Sequence, residues 1–209
     1  VDRRVRDGLL AALQRAVRAF YGQDPQKSPD YARIVNPRHI DRLAGYLQGG
    51  KPIEGGRWDA QDLYFAPTIL TDVAPDAPVM QDEIFGPILP VLEFDRLENA
   101  LEMLRERPTP LALYVFTRDR SMQERVLKGT RSGGVCVNDT LTHMVGSGLP
   151  FGGLGESGLG AYHGRASFDC FSHSRSVLRR SLAIDPALRY PPPRISLAAL
   201  KRASRFLLG

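Results

Sequence analysis

Cysteine is scarce in this chain: Cys136 and Cys170 are the only two in 209 residues, and they do not stand at metal-ligand spacing from each other. That excludes a disulfide framework and a zinc module, and favours a reducing cytosol. Long apolar runs are missing too. None approaches the roughly 20 residues that span a bilayer, and no signal-peptide pattern is visible. Acidic residues are nearly absent from the last stretch. From Arg179 onward there are seven basic residues against one acid, Asp185. The tail is therefore +6 of a total charge of +5, which leaves −1 on residues 1–178. A basic tail on a neutral body argues against nucleic acid as a partner.

With 43% hydrophobic and 24% charged residues the chain has an ordinary globular composition. Its length suits one good core with appendages. Val5, Leu9, Leu13 and Val17 recur every four residues, with Phe20 closing the stripe, so the chain opens on a helix. No cap or lead-in is evident before it, which suggests a piece of a longer polypeptide. Asn36-Pro37 predicts an N-cap and first helical position, Ile40, Leu43, Ala44 and Leu47 an apolar face, and Gly49-Gly50 the stop. Strands are expected at 63–66, 88–94, 111–117 and 135–137, the second buried on both faces. Asp95 and Glu98 suggest a capping box before a helix carrying Leu97, Leu101 and Leu104. Asp119 and Gly129 bracket a second helix over 121–128. Strand, helix, strand, helix, strand predicts an α/β fold, a parallel sheet with flanking helices.

Eight of the nineteen residues from Gly146 to Gly164 are glycine. Such a segment is either flexible or shaped for close approach of backbone. It is no dinucleotide fingerprint, because the glycines do not form GxGxxG between a strand and a helix. Phe151, bulky among small residues, suits the wall of a pocket or equally a ring packed in the core. Residues 168–178 alternate weakly, as an edge strand does. Tyr190-Pro191-Pro192-Pro193 is a stiff spacer, and the apolar and basic residues after it suit a short amphipathic helix.

One stretch organises the chain, Gln81-Asp82-Glu83-Ile84-Phe85-Gly86-Pro87. On an extended segment Glu83 and Phe85 point the same way, and Gly86 with Pro87 interrupts regular structure. A carboxylate accepts two hydrogen bonds from a vicinal diol while a ring covers a flat heterocycle. A nucleotide ribose with its base presents both. From spacing alone, the same residues also suit a surface acid and a core ring.

This stretch resembles the E-I-F-G-P signature of the aldehyde dehydrogenase superfamily. The flanking Met80 and Ile88-Leu89-Pro90 resemble its class 3 branch, which handles fatty and aromatic aldehydes; Asp82 stands where that branch often has Glu. Further blocks follow in the branch's order: Ser28-Pro29-Asp30-Tyr31, Ala66-Pro67-Thr68, Pro110-Leu111-Ala112-Leu113-Tyr114, Ser132-Gly133-Gly134-Val135, Asn138-Asp139, Leu149-Pro150-Phe151-Gly152-Gly153, Tyr162-His163-Gly164, Phe171-Ser172-His173 and Arg189-Tyr190-Pro191-Pro192.

The resemblance implies the C-terminal half of an NAD(P)-dependent enzyme. It oxidises aldehydes to carboxylic acids through a cysteine thiohemiacetal and thioester. The family's nucleophilic Cys, base Glu, oxyanion Asn and cofactor domain precede the region covered, so no catalytic residue is expected here. Cys136, between two valines, and Cys170 match no nucleophile. Glu83 is implied to bind the nicotinamide-side ribose of NAD or NADP, and Phe85 to pack on that ribose and the nicotinamide. Phe151 is implied to line the aldehyde entrance, with Met144, Val145 and His163 beside it. His163 has no carboxylate partner that would make it a base, and His143 is expected to be structural. No metal is expected. Residues 1–166 are implied to be a partial catalytic domain, 167–185 an oligomerisation strand of a homodimer, and 186–209 the spacer and basic tail. The enzyme is expected in the cytoplasm, with the tail a candidate for peripheral membrane contact. The competing reading is a non-catalytic truncated homologue that dimerises or docks on a membrane.

Overall fold

In a computed structural model that describes residues 1–181, 183, 185, 190–192 and 195–208, the sequence forms two layers built on separate cores. Helix α1 (Arg6–Tyr21) follows a 3-10 turn capped by the Asp2 carboxylate, which accepts from the Arg4 amide. Helix α2 (Pro37–Tyr46) starts as expected, with the Asn36 side chain accepting from the His39 amide at 3.1 Å. Its buried face is Ile40, Leu43 and Tyr46. Gly50 is required by space and not by a left-handed cap: a Cβ there would meet the Thr71 carbonyl at 2.7 Å.

Strand β1 (Lys51–Glu54) leads to a short hairpin, β2 (Trp58–Asp59) with β3 (Tyr64–Phe65), then to β4 (Thr68–Thr71) and β5 (Ile88–Pro90). β4 is central, antiparallel to β1 and parallel to β5. All four β4 residues are buried. Its threonines tolerate burial because their hydroxyls are satisfied, Thr68 on the Ala66 carbonyl and Thr71 on that of Lys51. Under this sheet lies the larger core: Ile40, Leu43, Tyr46, Phe65, Leu70, Val73, Ala77, Val79 and Ile88.

The second layer comprises helix α3 (Leu97–Arg105), strand β6 (Ala112–Val115), helix α4 (Arg120–Gly129) and strand β7 (Gly134–Val137). β6 and β7 are parallel and enclose a small core, Leu101, Val115 and Val126, with both helices. The expected capping box does not form. Arg96 is the N-cap of α3, so Asp95 is one residue early; it pairs with Arg3, and Glu98 pairs with Arg125. Asp119 does cap α4, accepting from the amides of Ser121 and Met122. Asp119→Ala should cost about 1 kcal/mol, read as a lower urea midpoint at constant slope.

The α/β class stands, but the strands form three separate sheets among the described residues where one is expected. β5 is shorter than predicted and not buried on both sides, since Leu89 is exposed. The reason is a cavity of about 970 Å³ between β5 and β6, lined also by Val5, Leu9 and Leu13 of the N-terminal segment. The first part of the stripe, Val5, Leu9 and Leu13, faces this trough, and Leu10 is the one buried residue of α1.

Helix α5 (Gly164–Cys170) takes the first part of the segment expected as an interface strand, and residues 171–181 carry no ladder. Arg165 pairs with Asp169 one helical turn on along α5, and no described strand takes up residues 171–181. Helix α6 (Leu197–Leu208) forms in the tail, with Leu197, Leu200 and Phe206 exposed. Pro193 of the spacer and Arg189 and Arg194 of the tail lie outside the described residues.

Candidate cofactor and substrate site

Pro78–Met80 make a 3-10 turn that buries Val79, and the E-I-F-G-P segment leaves it without regular structure. Ile84 packs onto the larger core. Its neighbours Glu83 and Phe85 are exposed, Phe85 to 75%. The alternative of a core ring is thereby excluded for Phe85. Among the described residues nothing pairs with the Glu83 carboxylate.

Arg42 of α2 holds this lip, donating to the Ile84 carbonyl at 2.7 Å and to the Tyr46 hydroxyl at 3.0 Å. Arg107 fixes the preceding turn through the carbonyls of Met80 (2.6 Å) and Pro75 (2.7 Å). The Thr68 amide donates to the Pro87 carbonyl at 2.8 Å and carries the lip into β5. The unusual backbone is at Phe85, with φ +41°, and not at Gly86. Gly86 is needed because a Cβ would run into the Leu43 methyl groups. A non-glycine residue held at positive φ with its ring in solvent is a strained, outward-facing element of the kind found at ligand sites.

The glycine-rich loop is shaped for close approach. A Cβ on Gly152 would strike the Gly160 carbonyl, and one on Gly153 the Ser157 carbonyl. Phe151 and Tyr162 exchange backbone hydrogen bonds at 3.0 and 2.9 Å across this loop. His163, at φ +92°, donates through Nδ1 to the Leu149 carbonyl at 3.0 Å. Its amide donates to Ser167 Oγ.

Rings then meet edge to face in sequence: Tyr162 on His163 at 4.3 Å, Phe151 on Tyr162 at 5.7 Å, His143 on Phe151 at 5.5 Å and Tyr114 on His143 at 5.8 Å. The structure thus brings Phe151 and His163 together. Met144 closes the 3-10 turn Thr142–Met144 and Val145 follows it, both exposed. Among the described residues no hydrogen bond or ring contact joins them to Phe151, nor Phe151 to the lip.

Arg42 and Tyr162 escape sequence reasoning as site residues. Arg42 lies 42 positions from the carbonyl it holds, and no local signal announces it. Asn138 is a further case: at φ +59° it bonds both the amide and the carbonyl of Thr117, tying the ends of β6 and β7. Cys136 is buried in β7, with Sγ 3.4 Å from the Thr142 hydroxyl. Cys170 is exposed at the end of α5, not in a strand. No group of three metal-ligating side chains occurs among the described residues.

A family model described as "Aldehyde dehydrogenase family" matches residues 1–177. The chain belongs to the aldehyde dehydrogenase family. It is 46% identical over 195 residues to a bovine "Aldehyde dehydrogenase, dimeric NADP-preferring", covering 92% of this chain and 82% of that sequence. It is also 49% identical over 190 residues to human "Aldehyde dehydrogenase family 3 member B1", covering 90% of this chain but 41% of the relative. The chain thus spans less than half the length of that human relative. Among solved structures, that of Staphylococcus aureus AldH in its substrate-bound state superposes with a TM-score of 0.80 at 41% identity. The match covers 97% of this chain and 45% of that one. An indole-3-acetaldehyde dehydrogenase in complex with NAD⁺ superposes with a TM-score of 0.69 at 28% identity, covering 82% and 36%.

Proposed function

We propose that this chain is the C-terminal part of an NAD(P)-dependent aldehyde dehydrogenase that oxidises aldehydes to carboxylic acids. The observation that carries this reading is the lip: an unpaired Glu83 carboxylate and an exposed Phe85 ring flank Ile84, which is anchored in the core, on backbone clamped by Arg42. These residues fit the cofactor. A carboxylate with free lone pairs accepts from both ribose hydroxyls, and an exposed ring offers a face to the sugar and nicotinamide. The nicotinamide, when bound, supplies the hydride acceptor. Phe151, with Met144, Val145 and His163, forms the wall that orients the aldehyde and excludes water from it. The acylating cysteine belongs to polypeptide outside this sequence. Purified alone, the chain should therefore form no NAD(P)H from hexanal or benzaldehyde, whereas a complete enzyme containing it should. Turnover by the isolated chain would assign the chemistry to Cys136 or Cys170 and reject this division of roles.

Residues 167–185 are the proposed dimer contact, consistent with the word "dimeric" in the name of the bovine relative. The proposed location is the cytoplasm, with α6 resting on membrane surfaces. No described helix is long and apolar enough to cross a membrane. α6 instead carries Lys201, Arg202 and Arg205 on one side and exposed Leu197, Leu200 and Phe206 elsewhere. Co-sedimentation with phosphatidylserine vesicles should fall on deleting 194–209. Equal binding would remove the membrane role.

A further inference from the structure

His143 is the one described histidine with both ring nitrogens buried and unbonded. A neutral imidazole carries one donor and one acceptor, so this seat satisfies neither. What the seat does supply is contact with rings. The His143 edge meets Tyr114 of β6 on one side and Phe151 on the other. Its third neighbour is backbone: a Cβ on Gly134 of β7 would lie 2.8 Å from its Cδ2 and 3.1 Å from Nε2. The turn that carries it is pinned from below. The Thr142 hydroxyl donates to Asp139 Oδ2 at 3.0 Å and lies 3.4 Å from Cys136 Sγ. His143 is therefore a wedge seated on the β6–β7 pair, with its outer edge against Phe151.

We propose that His143 is a positioning residue for the aldehyde wall: through its ring edges, not its nitrogens, it sets the angle of Phe151 and so the breadth of substrate admitted. The proposal rests on the assignment of Phe151 to that wall. Aromatic pairs of this kind have preferred geometry as well as contact area, so moving one ring re-aims the next. Among the described residues, what positions the His143 ring is its contact with Tyr114, Phe151 and Gly134.

The test compares His143→Ala, His143→Phe, Gly134→Ala and Phe151→Ala. In the 209-residue chain, nuclear Overhauser contacts between the Phe151 and Tyr162 rings should change in His143→Ala and in Gly134→Ala, which displaces the imidazole without altering it. They should persist in His143→Phe. In a complete enzyme, His143→Ala and Gly134→Ala should shift the ratio of KM for benzaldehyde to KM for hexanal by about 10-fold, with kcat within about twofold. His143→Phe should keep the native ratio. A lower thermal midpoint with an unchanged ratio and unchanged ring contacts would overturn the proposal. So would a His143→Phe enzyme behaving like His143→Ala, since the nitrogens would then be the active part. Phe151→Ala separates the two levels. If it shifts the ratio while the His143 and Gly134 variants do not, only the wedge fails; if it too has no effect, the wall assignment falls with it.

Discussion

Glu83→Gln in a complete enzyme should raise the KM for NAD(P) by roughly 10- to 100-fold, the equivalent of losing a charge-assisted hydrogen bond of about 1.5–3 kcal/mol. The substitution keeps the shape of the side chain and removes its charge. Glutamine has one acceptor oxygen in place of two, so a diol that both carboxylate oxygens could serve keeps at most one good acceptor. Stability should not move, because the Glu83 side chain is exposed and makes no ion pair among the described residues. That combination separates a binding role from a structural one. Equal cofactor KM in the two proteins, or a fall in thermal midpoint without a change in KM, would exclude Glu83 from the ribose site.

Leu43→Ala should destabilise the chain by about 2–5 kcal/mol, the range for emptying a well-packed leucine site. Leu43 is fully buried at the centre of the larger core. It also sits directly beneath the lip, where the missing side chain of Gly86 leaves room for its methyl groups. Gly86→Ala alone should cost about 1–3 kcal/mol by overpacking. The double variant should be less destabilised than the sum of the two, because the shortened residue 43 makes space for the new methyl group. Additive costs in urea unfolding would show that the lip and the core do not share this contact.

Local chemistry explains which elements were legible in the sequence. α2 and α4 are bounded by Asn36-Pro37 and Asp119, whose side chains do bond the first helical amides. The E-I-F-G-P stretch announces itself by an acid and a ring two apart, and both are exposed, but Phe85 at φ +41° is not on the extended backbone that the period-2 argument needs. β4 was not legible. It begins and ends with threonine, and only the carbonyls of Ala66 and Lys51 reveal why those hydroxyls can be buried. The Asp95–Glu98 pattern misleads because arginines distant in sequence compete for both acids. The strand expected at 168–178 rests on weak alternation, and α5, with its Arg165–Asp169 pair, and irregular chain take its place. Within the candidate site, Phe151 and His163 could be singled out from their neighbours, but the ring sequence linking them through Tyr162 is a product of the folded loop.

The two cores differ in size, nine buried residues below the lip against three between α3, α4, β6 and β7. Local opening is cheapest where burial is least. The proposed cofactor seat then rests on the larger core, while the proposed ring wall belongs to a half expected to open more often. An enzyme assembled from such halves would hold its nucleotide on firm ground and admit aldehydes of varied girth at the yielding side.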